Sequence, residues 1–75
     1  MENKNLLIQI GNNICAERCR ARLTQEALAE KISMNVRNLG RIERGESNAK
    51  ITNIIAIMKA LNIPFEAIYR NVENN

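Results

Sequence analysis

The chain has 75 residues, a formal net charge of +3, 45% hydrophobic residues, two cysteines and no histidine. This length allows one domain with one small core. Leu, Ile and Ala dominate while aromatic residues make up only 3%, a composition that favours packed helices over sheet. Because the sequence also has no Asp and no Gly-rich phosphate loop, it indicates no enzyme, cofactor or metal site.

The positive charge lies in the middle of the chain. Residues 17–50 contain eight basic and five acidic side chains, whereas the segments on either side are neutral. A basic segment of this kind fits a polyanion partner, although basic faces are often only solvated. No apolar run approaches the roughly 20 residues of a membrane span. We therefore expect a cytoplasmic protein without a membrane segment.

The first helix is predicted over residues 5–20. Glu17 is expected at the edge of its apolar stripe, in water, and Gly11 is expected to let a neighbouring helix approach. Arg22 follows at a position where a left-handed Gly would be easiest, so we expect a strained helix end. The stripe recurs at three- and four-residue steps: Leu7, Ile10, Ile14 and Arg18.

Two short helices joined by a tight turn are predicted between residues 24 and 45. Thr24 and Asn35 are good N-caps for helices over about 25–31 and 36–44. Small Ala29 stands where two steeply crossing helices come close, and Ser33 lies in the turn. Each helix has one apolar face, formed by Leu28, Ala29 and Ile32 and then by Leu39 and Ile42. This is the pattern of a helix-turn-helix.

The chain resembles the phage-repressor and Cro-type helix-turn-helix regulators over about residues 10–63. The resemblance rests on Thr24-Gln25-Glu26, Ala29 and Ile42-Glu43-Arg44-Gly45. It implies an all-α, five-helix, lambda-repressor-like DNA-binding domain over residues 1–75, with its helix-turn-helix at about 24–45. The second of those helices then enters the DNA major groove.

Two residues depart from the family pattern. Ser33 stands where the turn usually has Gly, which predicts mild strain. Gly40 stands inside the second helix, where it costs roughly 1 kcal/mol relative to Ala. It also removes a side chain from a face that could read bases.

The resemblance and the helical geometry together give each site residue an expected role. Arg37 and Arg41 lie one turn apart, and arginine reads guanine as asparagine reads adenine, although either arginine alone could be a solvated charge. Gln25 begins a helix, where a phosphate is favoured. The expected base-reading residues are Val36, Arg37, Asn38 and Arg41. The expected phosphate-binding residues are Gln25, Asn35, Arg44, Asn48 and Lys50.

The family also implies a structural ion pair between Arg18 and Glu43. A planar guanidinium can bind a carboxylate through two hydrogen bonds. The alternative is that Arg18 extends past the core to water. If the pair forms, it orients the first helix against the reading helix.

Two further helices are predicted over about residues 51–61 and 65–69. Ile51, Ile54, Ile57, Met58 and Leu61 form a core stripe on the first of them. Ile55 lies about 100° of helix rotation away from this stripe, so it is surplus to one core. We expect a homodimer interface in the region 55–72, formed by Ile55, Phe65, Ile68 and Tyr69. The alternative is that these residues cap the monomer's own core. Asn74 and Asn75 are expected to fray.

The sequence thus predicts a DNA-binding transcription regulator that acts as a homodimer on a near-palindromic operator. Its length and its end, from Leu61 through Tyr69, are similar to the controller proteins of restriction–modification systems. A phage or plasmid Cro-like repressor or an antitoxin remains an alternative, as does a protein-interaction module that does not bind DNA. A thiol redox sensor built on Cys15 and Cys19 is a third class of function. The favoured interpretation is two semi-buried thiols in a reducing cytosol. A zinc site is disfavoured because two thiolates alone make an incomplete one. No small-molecule effector is indicated, and operator sequence and direction of regulation stay open.

Overall fold

The computed structural model describes residues 2–70 and residue 72 of the chain. Met1, Asn71 and residues 73–75, which include the expected frayed end at Asn74 and Asn75, lie outside the described residues. Within the described residues the fold has five helices: α1 (Glu2–Arg20), α2 (Gln25–Lys31), α3 (Val36–Glu43), α4 (Ile51–Leu61) and α5 (Phe65–Tyr69). The predicted all-helical fold is therefore confirmed.

Two helix ends differ from the prediction. α1 begins at Glu2 rather than at residue 5. The sequence did not indicate this first turn because it is polar and carries no apolar periodicity. α3 ends at Glu43, and Arg44 is its C-cap rather than its last helical residue. No helix in residues 2–70 is both long and apolar enough to cross a membrane.

The N-caps of α2 and α3 form as the sequence predicts. The Thr24 hydroxyl oxygen accepts a hydrogen bond from the Ala27 amide at 3.0 Å. The Asn35 side-chain oxygen accepts one from the Arg37 amide at 2.7 Å. Lys50 precedes α4 without a capping side-chain hydrogen bond. The Thr24 and Asn35 side chains thus satisfy amides that have no partner within the helix.

Three residues other than glycine adopt left-handed backbone conformations. Arg22 has φ 63°, Ser33 has φ 55° and Asn62 has φ 56°. Arg22 and Ser33 are thus strained as predicted, since this region costs an ordinary residue roughly 1–2 kcal/mol. Asn62 tolerates the conformation better because its short polar side chain can bond locally, and it ends α4.

The core lies where all five helices meet. Its largest fully buried side chains come one from each helix: Ile14, Leu28, Leu39, Ile57 and Ile68. Gly11 brings α1 against the backbone of α3, because a Cβ placed there would lie 2.5 Å from the Glu43 carbonyl oxygen. The expectation of a close helix approach at Gly11 is confirmed.

Two sequence-based placements, one on α1 and one on α5, are wrong. Glu17 is buried at 7% exposure rather than lying in water. Its charge is compensated by the Arg20 guanidinium at 2.7 Å and by Arg70 at 3.6 Å. Ile68 has no exposed surface and belongs to the chain's own core. The sequence-based prediction that Ile68 lies in a dimer interface is therefore wrong.

Candidate nucleic-acid interface

One side of α3 is exposed and carries the four residues that the sequence nominates for base reading. Leu39 and Ile42 hold the opposite side of the helix in the core. α3 is eight residues long, and these two are its fourth and seventh residues. The exposed residues that the structure brings to this surface are Val36, Arg37, Asn38 and Arg41.

A buried ion pair joins α1 to the end of α3. The Arg18 Nε donates to Glu43 Oε2 at 2.7 Å, and its Nη2 donates to Oε1 at 3.1 Å. The two side chains are only 12% and 4% exposed. Arg18 Nη1 also donates to the Leu23 carbonyl oxygen at 2.8 Å. The hydrogen bonds that Arg18 donates to Glu43 raise the pKa of the Arg18 guanidinium above its ordinary value. The structure thus brings together the two residues that the family resemblance pairs.

Gln25 extends this arrangement to α2. Its Nε2 donates to Glu43 Oε1 at 3.0 Å. A carboxylate only accepts hydrogen bonds, which fixes the orientation of the Gln25 amide. One buried carboxylate therefore ties together α1, α2 and α3, and it does so at the N-terminal residue of α2.

Gly40 is buried on the outward side of α3, beneath two longer side chains. A Cβ built there would lie 3.1 Å from Arg44 Nη1 and 3.5 Å from Gln25 Oε1. The expectation that Gly40 stands on a face that could read bases is therefore wrong, because Gly40 is buried. The space is occupied by the ends of Gln25 and Arg44.

Arg44 is held by an acidic residue that the sequence reasoning missed. Its Nε and Nη2 donate to the two carboxylate oxygens of Glu46 at 3.0 and 3.2 Å. Both side chains are more than half exposed. The hydrogen bond from Arg44 holds the pKa of Glu46 below its ordinary value, and the charge of Arg41 acts in the same direction. The sequence does place an acid two residues after Arg44. A count of net charge does not show that the two side chains pair.

The other expected phosphate ligands are accessible. Asn48 and Lys50 are exposed in the loop between α3 and α4, and Asn35 is exposed before α3. Because Asn35 caps α3 through its side-chain oxygen, its amide group is the part that remains to donate.

The residues nominated for a dimer interface separate into two groups. Ile55, Phe65 and Tyr69 are 42%, 43% and 40% exposed, whereas Ile68 is fully buried. Ile51 is 60% exposed, so its assignment to the core stripe is wrong. The rings of Phe65 and Tyr69 pack at a centroid distance of 4.4 Å. We call Ile51, Ile55, Phe65 and Tyr69 the apolar patch.

The two cysteines lie on α1 near the Arg18–Glu43 pair. Cys15 is half-buried and Cys19 is exposed. Burial raises the pKa of the Cys15 thiol, and the neighbouring Glu43 carboxylate acts in the same direction. A raised pKa lowers the thiolate fraction on which thiol reactivity depends. Among the described residues, no three side chains of the metal-binding types come together.

Comparison with known proteins gives one family match and a set of similar structures. Residues 16–68 match the family model HTH_3, described as helix-turn-helix. The restriction–modification controller protein C.AhdI from Aeromonas hydrophila is 29% identical with a TM-score of 0.80, over 83% of this chain and 94% of that one. The controller protein C.Esp1396I, as a tetramer with its natural 35-base-pair operator, is 28% identical with a TM-score of 0.77, over 89% and 88%.

A third similar structure is longer than this chain. An HTH_3-family transcriptional regulator from Vibrio cholerae is 30% identical with a TM-score of 0.84, over 92% of this chain but only 39% of its own. The search of curated proteins gives no match.

Proposed function

The chain belongs to the HTH_3 helix-turn-helix family, and from this premise we propose that it is a DNA-binding transcription regulator that acts as a homodimer on a near-palindromic operator. The observation that carries the proposal is the exposed, basic side of α3, held in a fixed orientation by the buried Arg18–Glu43 pair. A helix presented in this way can enter a major groove with little reorganisation.

The chemistry of the α3 surface fits base reading. Arg37 and Arg41 are both exposed and lie one helical turn apart. A guanidinium can donate two hydrogen bonds to the O6 and N7 atoms of guanine, an asparagine side chain can pair with adenine, and an apolar side chain can contact the thymine methyl group. Asn38 and Val36 provide these last two groups. A protein-interaction module would instead be expected to present acidic or apolar residues here.

The apolar patch supports self-association. Ile51 and Ile55 are one turn apart on α4, and Phe65 and Tyr69 are one turn apart on α5, so each pair lies on one side of its helix. An exposed apolar surface of this kind on a small protein is typical of an interaction site. A two-fold axis would use the same patch on both subunits and set two reading helices about 34 Å apart, one turn of DNA.

Helix α5 is fixed well enough to serve in such an interface. Asn13 Nδ2 on α1 donates to the carbonyl oxygens of Ile68 and Arg70 at 2.7 and 2.8 Å. These bonds satisfy carbonyls at the end of α5 that have no partner within so short a helix. With Ile68 in the core, Phe65 and Tyr69 are presented from an anchored helix.

We further infer that the protein is a controller protein of a restriction–modification system. Two similar structures are controller proteins, and this chain spans 94% and 88% of their lengths. A phage or plasmid repressor of the same family is the second candidate, favoured by the Vibrio cholerae regulator. The genes adjoining the coding sequence distinguish the two.

DNA binding is tested with the duplex that the wild-type protein selects from a random pool, compared with a scrambled duplex by fluorescence anisotropy. Arg37→Ala or Arg41→Ala is expected to cost about 1–3 kcal/mol on the selected duplex and to relax the preference at one base position. Lys50→Ala is expected to weaken both duplexes alike and to lower the salt slope by about one. Lys59→Ala removes the same charge from the last turn of α4 and is the matched control for Lys50→Ala. Unchanged selectivity in both arginine variants would contradict the assigned reading surface.

The dimer is tested by sedimentation. Tyr69→Glu is expected to give a folded monomer with much weaker binding to the selected duplex, because a charge cannot be buried unpaired in a two-fold contact. Ile68→Ala is the contrasting core substitution and is expected to lower stability by about 2–5 kcal/mol. A Tyr69→Glu protein that still sediments as a dimer would place the interface elsewhere.

A further inference from the structure

The side chains of Gln25 and Arg44 converge over Gly40. The ideal Cβ position of Gly40 lies 3.1 Å from Arg44 Nη1 and 3.7 Å from Gln25 Nε2. One side chain comes from the start of α2 and the other from the end of α3. A Cβ at position 40 would be in ordinary contact with the Gln25 amide but unusually close to Arg44 Nη1, so the missing side chain lets the end of Arg44 lie here without being displaced.

Each of the two side chains is held by an acid. Glu43 binds Gln25 Nε2, which leaves the second N–H of that amide. Glu46 binds the Nε and Nη2 atoms of Arg44, and Nη1 then lies on the Gly40 side. The remaining donors are therefore one N–H of the Gln25 amide, the two N–H groups of Arg44 Nη1 and the second N–H of Nη2.

We propose that Gly40 is a positioning residue that lets Gln25 and Arg44 form a single clamp on one DNA phosphate, with Glu46 fixing the Arg44 guanidinium. The inference rests on the proposed DNA binding and names which groups share a phosphate. A phosphate has several acceptor oxygens and a negative charge, so it can accept from a guanidinium and a neutral amide at once. The clamp sets the register of the protein on the backbone and carries no base information.

The test neutralises one phosphate at a time. Duplexes of the selected sequence are made with a single uncharged methylphosphonate at successive positions, and affinity is measured by fluorescence anisotropy. For the wild type, neutralising the phosphate held by the clamp is expected to weaken binding about tenfold, the size of a charge-assisted hydrogen bond. Phosphates bound by Asn35, Asn48 or Lys50 are expected to give separate positions. Gln25→Ala and Arg44→Ala are each expected to reduce the effect of neutralising the clamped phosphate, and the double variant to abolish it.

Gly40→Ala is expected to reduce the effect of the same phosphate without changing base preference. It is not expected to lower the melting temperature, because Ala is the better helix former and the displaced atom is the flexible end of Arg44. Glu46→Gln removes a negative charge and so strengthens binding to any duplex. It should nevertheless reduce the effect of neutralising that one phosphate.

The outcomes separate the clamp from the proposed function. If Gln25→Ala and Arg44→Ala reduce the effects of two different phosphates, the clamp is wrong, and this result does not depend on the stability of Gly40→Ala. If Gly40→Ala keeps the wild-type response, Gly40 is not a positioning residue. If the wild-type protein binds no duplex, the proposed function fails and the clamp fails with it.

Discussion

Replacing Arg18 by alanine is the perturbation whose consequence the structure defines most closely. Arg18 forms two hydrogen bonds with Glu43, and the two side chains are only 12% and 4% exposed. In the variant, Glu43 keeps the bond from Gln25 but loses the opposite charge. The remaining carboxylate is then a buried, uncompensated anion.

The expected loss is large for a protein of this size. Breaking a buried pair by removing one partner costs about 3–5 kcal/mol, because a charge is stranded. A 75-residue chain has roughly 4–11 kcal/mol of total stability, at about 0.05–0.15 kcal/mol per residue. Arg18→Ala is therefore expected to remove from about a quarter to all of the stability. The Arg18→Ala, Glu43→Ala double variant is expected to lose much less than the sum of the single losses, since it buries no charge.

The assay is urea unfolding followed by circular dichroism, analysed as a double-mutant cycle. Arg44 and Glu46 provide the control, because their two hydrogen bonds have nearly the same geometry in an exposed position. Removing either partner there is expected to leave the free energy of unfolding essentially unchanged. The reasoning would be refuted if the buried cycle gave no coupling energy, or if Arg18→Ala were as mild as Arg44→Ala. An unfolded Arg18→Ala rescued by the second substitution would count as coupling.

Three further substitutions test the backbone. Ser33→Gly is expected to stabilise the fold by about 0.5–1 kcal/mol, because Ser33 has φ 55° and Gly adopts this region freely. Asn62→Gly should stabilise the fold less, since Asn already tolerates a left-handed φ. Equal gains of the two variants in thermal unfolding would contradict this account. Gly11→Ala is expected to destabilise the fold strongly, because its Cβ would lie 2.5 Å from the Glu43 carbonyl oxygen and backbone cannot move aside as a side chain can; a melting temperature near that of the wild type would show that α1 and α3 can separate at little cost.

The N-caps of α2 and α3 and most helix boundaries were predictable because they depend on local sequence. Thr24 and Asn35 satisfy amides two or three residues away, and Ser33 stands in a turn whose geometry requires a positive φ. The first turn of α1 was not predictable, because three polar residues carry no periodic signal. Its position is known only from the three-dimensional structure.

Burial was less predictable, because it depends on which helices meet. Glu17 is buried because Arg20 and Arg70 compensate it, and Arg70 lies 53 residues later in the chain. Ile51 has the spacing of a core residue on α4 but is the most exposed large hydrophobic residue of those described. Ile68 shows the reverse, because α5 packs against α1 and directs it into the core. A helical period gives the face of a helix but not what covers that face.

The acids of the basic segment show why net charge alone describes the candidate site poorly. Glu43 and Glu46 are two of the five acids that reduce the net charge of residues 17–50. In the structure, Glu43 binds Arg18 and Gln25, and Glu46 binds Arg44. Each acid thus fixes the direction of donors instead of simply cancelling them. Electrostatic attraction to a phosphate falls only slowly with distance, but a hydrogen bond requires a donor in one orientation. A surface with fewer net charges but fixed donors can therefore set a register on DNA that a more basic, mobile surface would not.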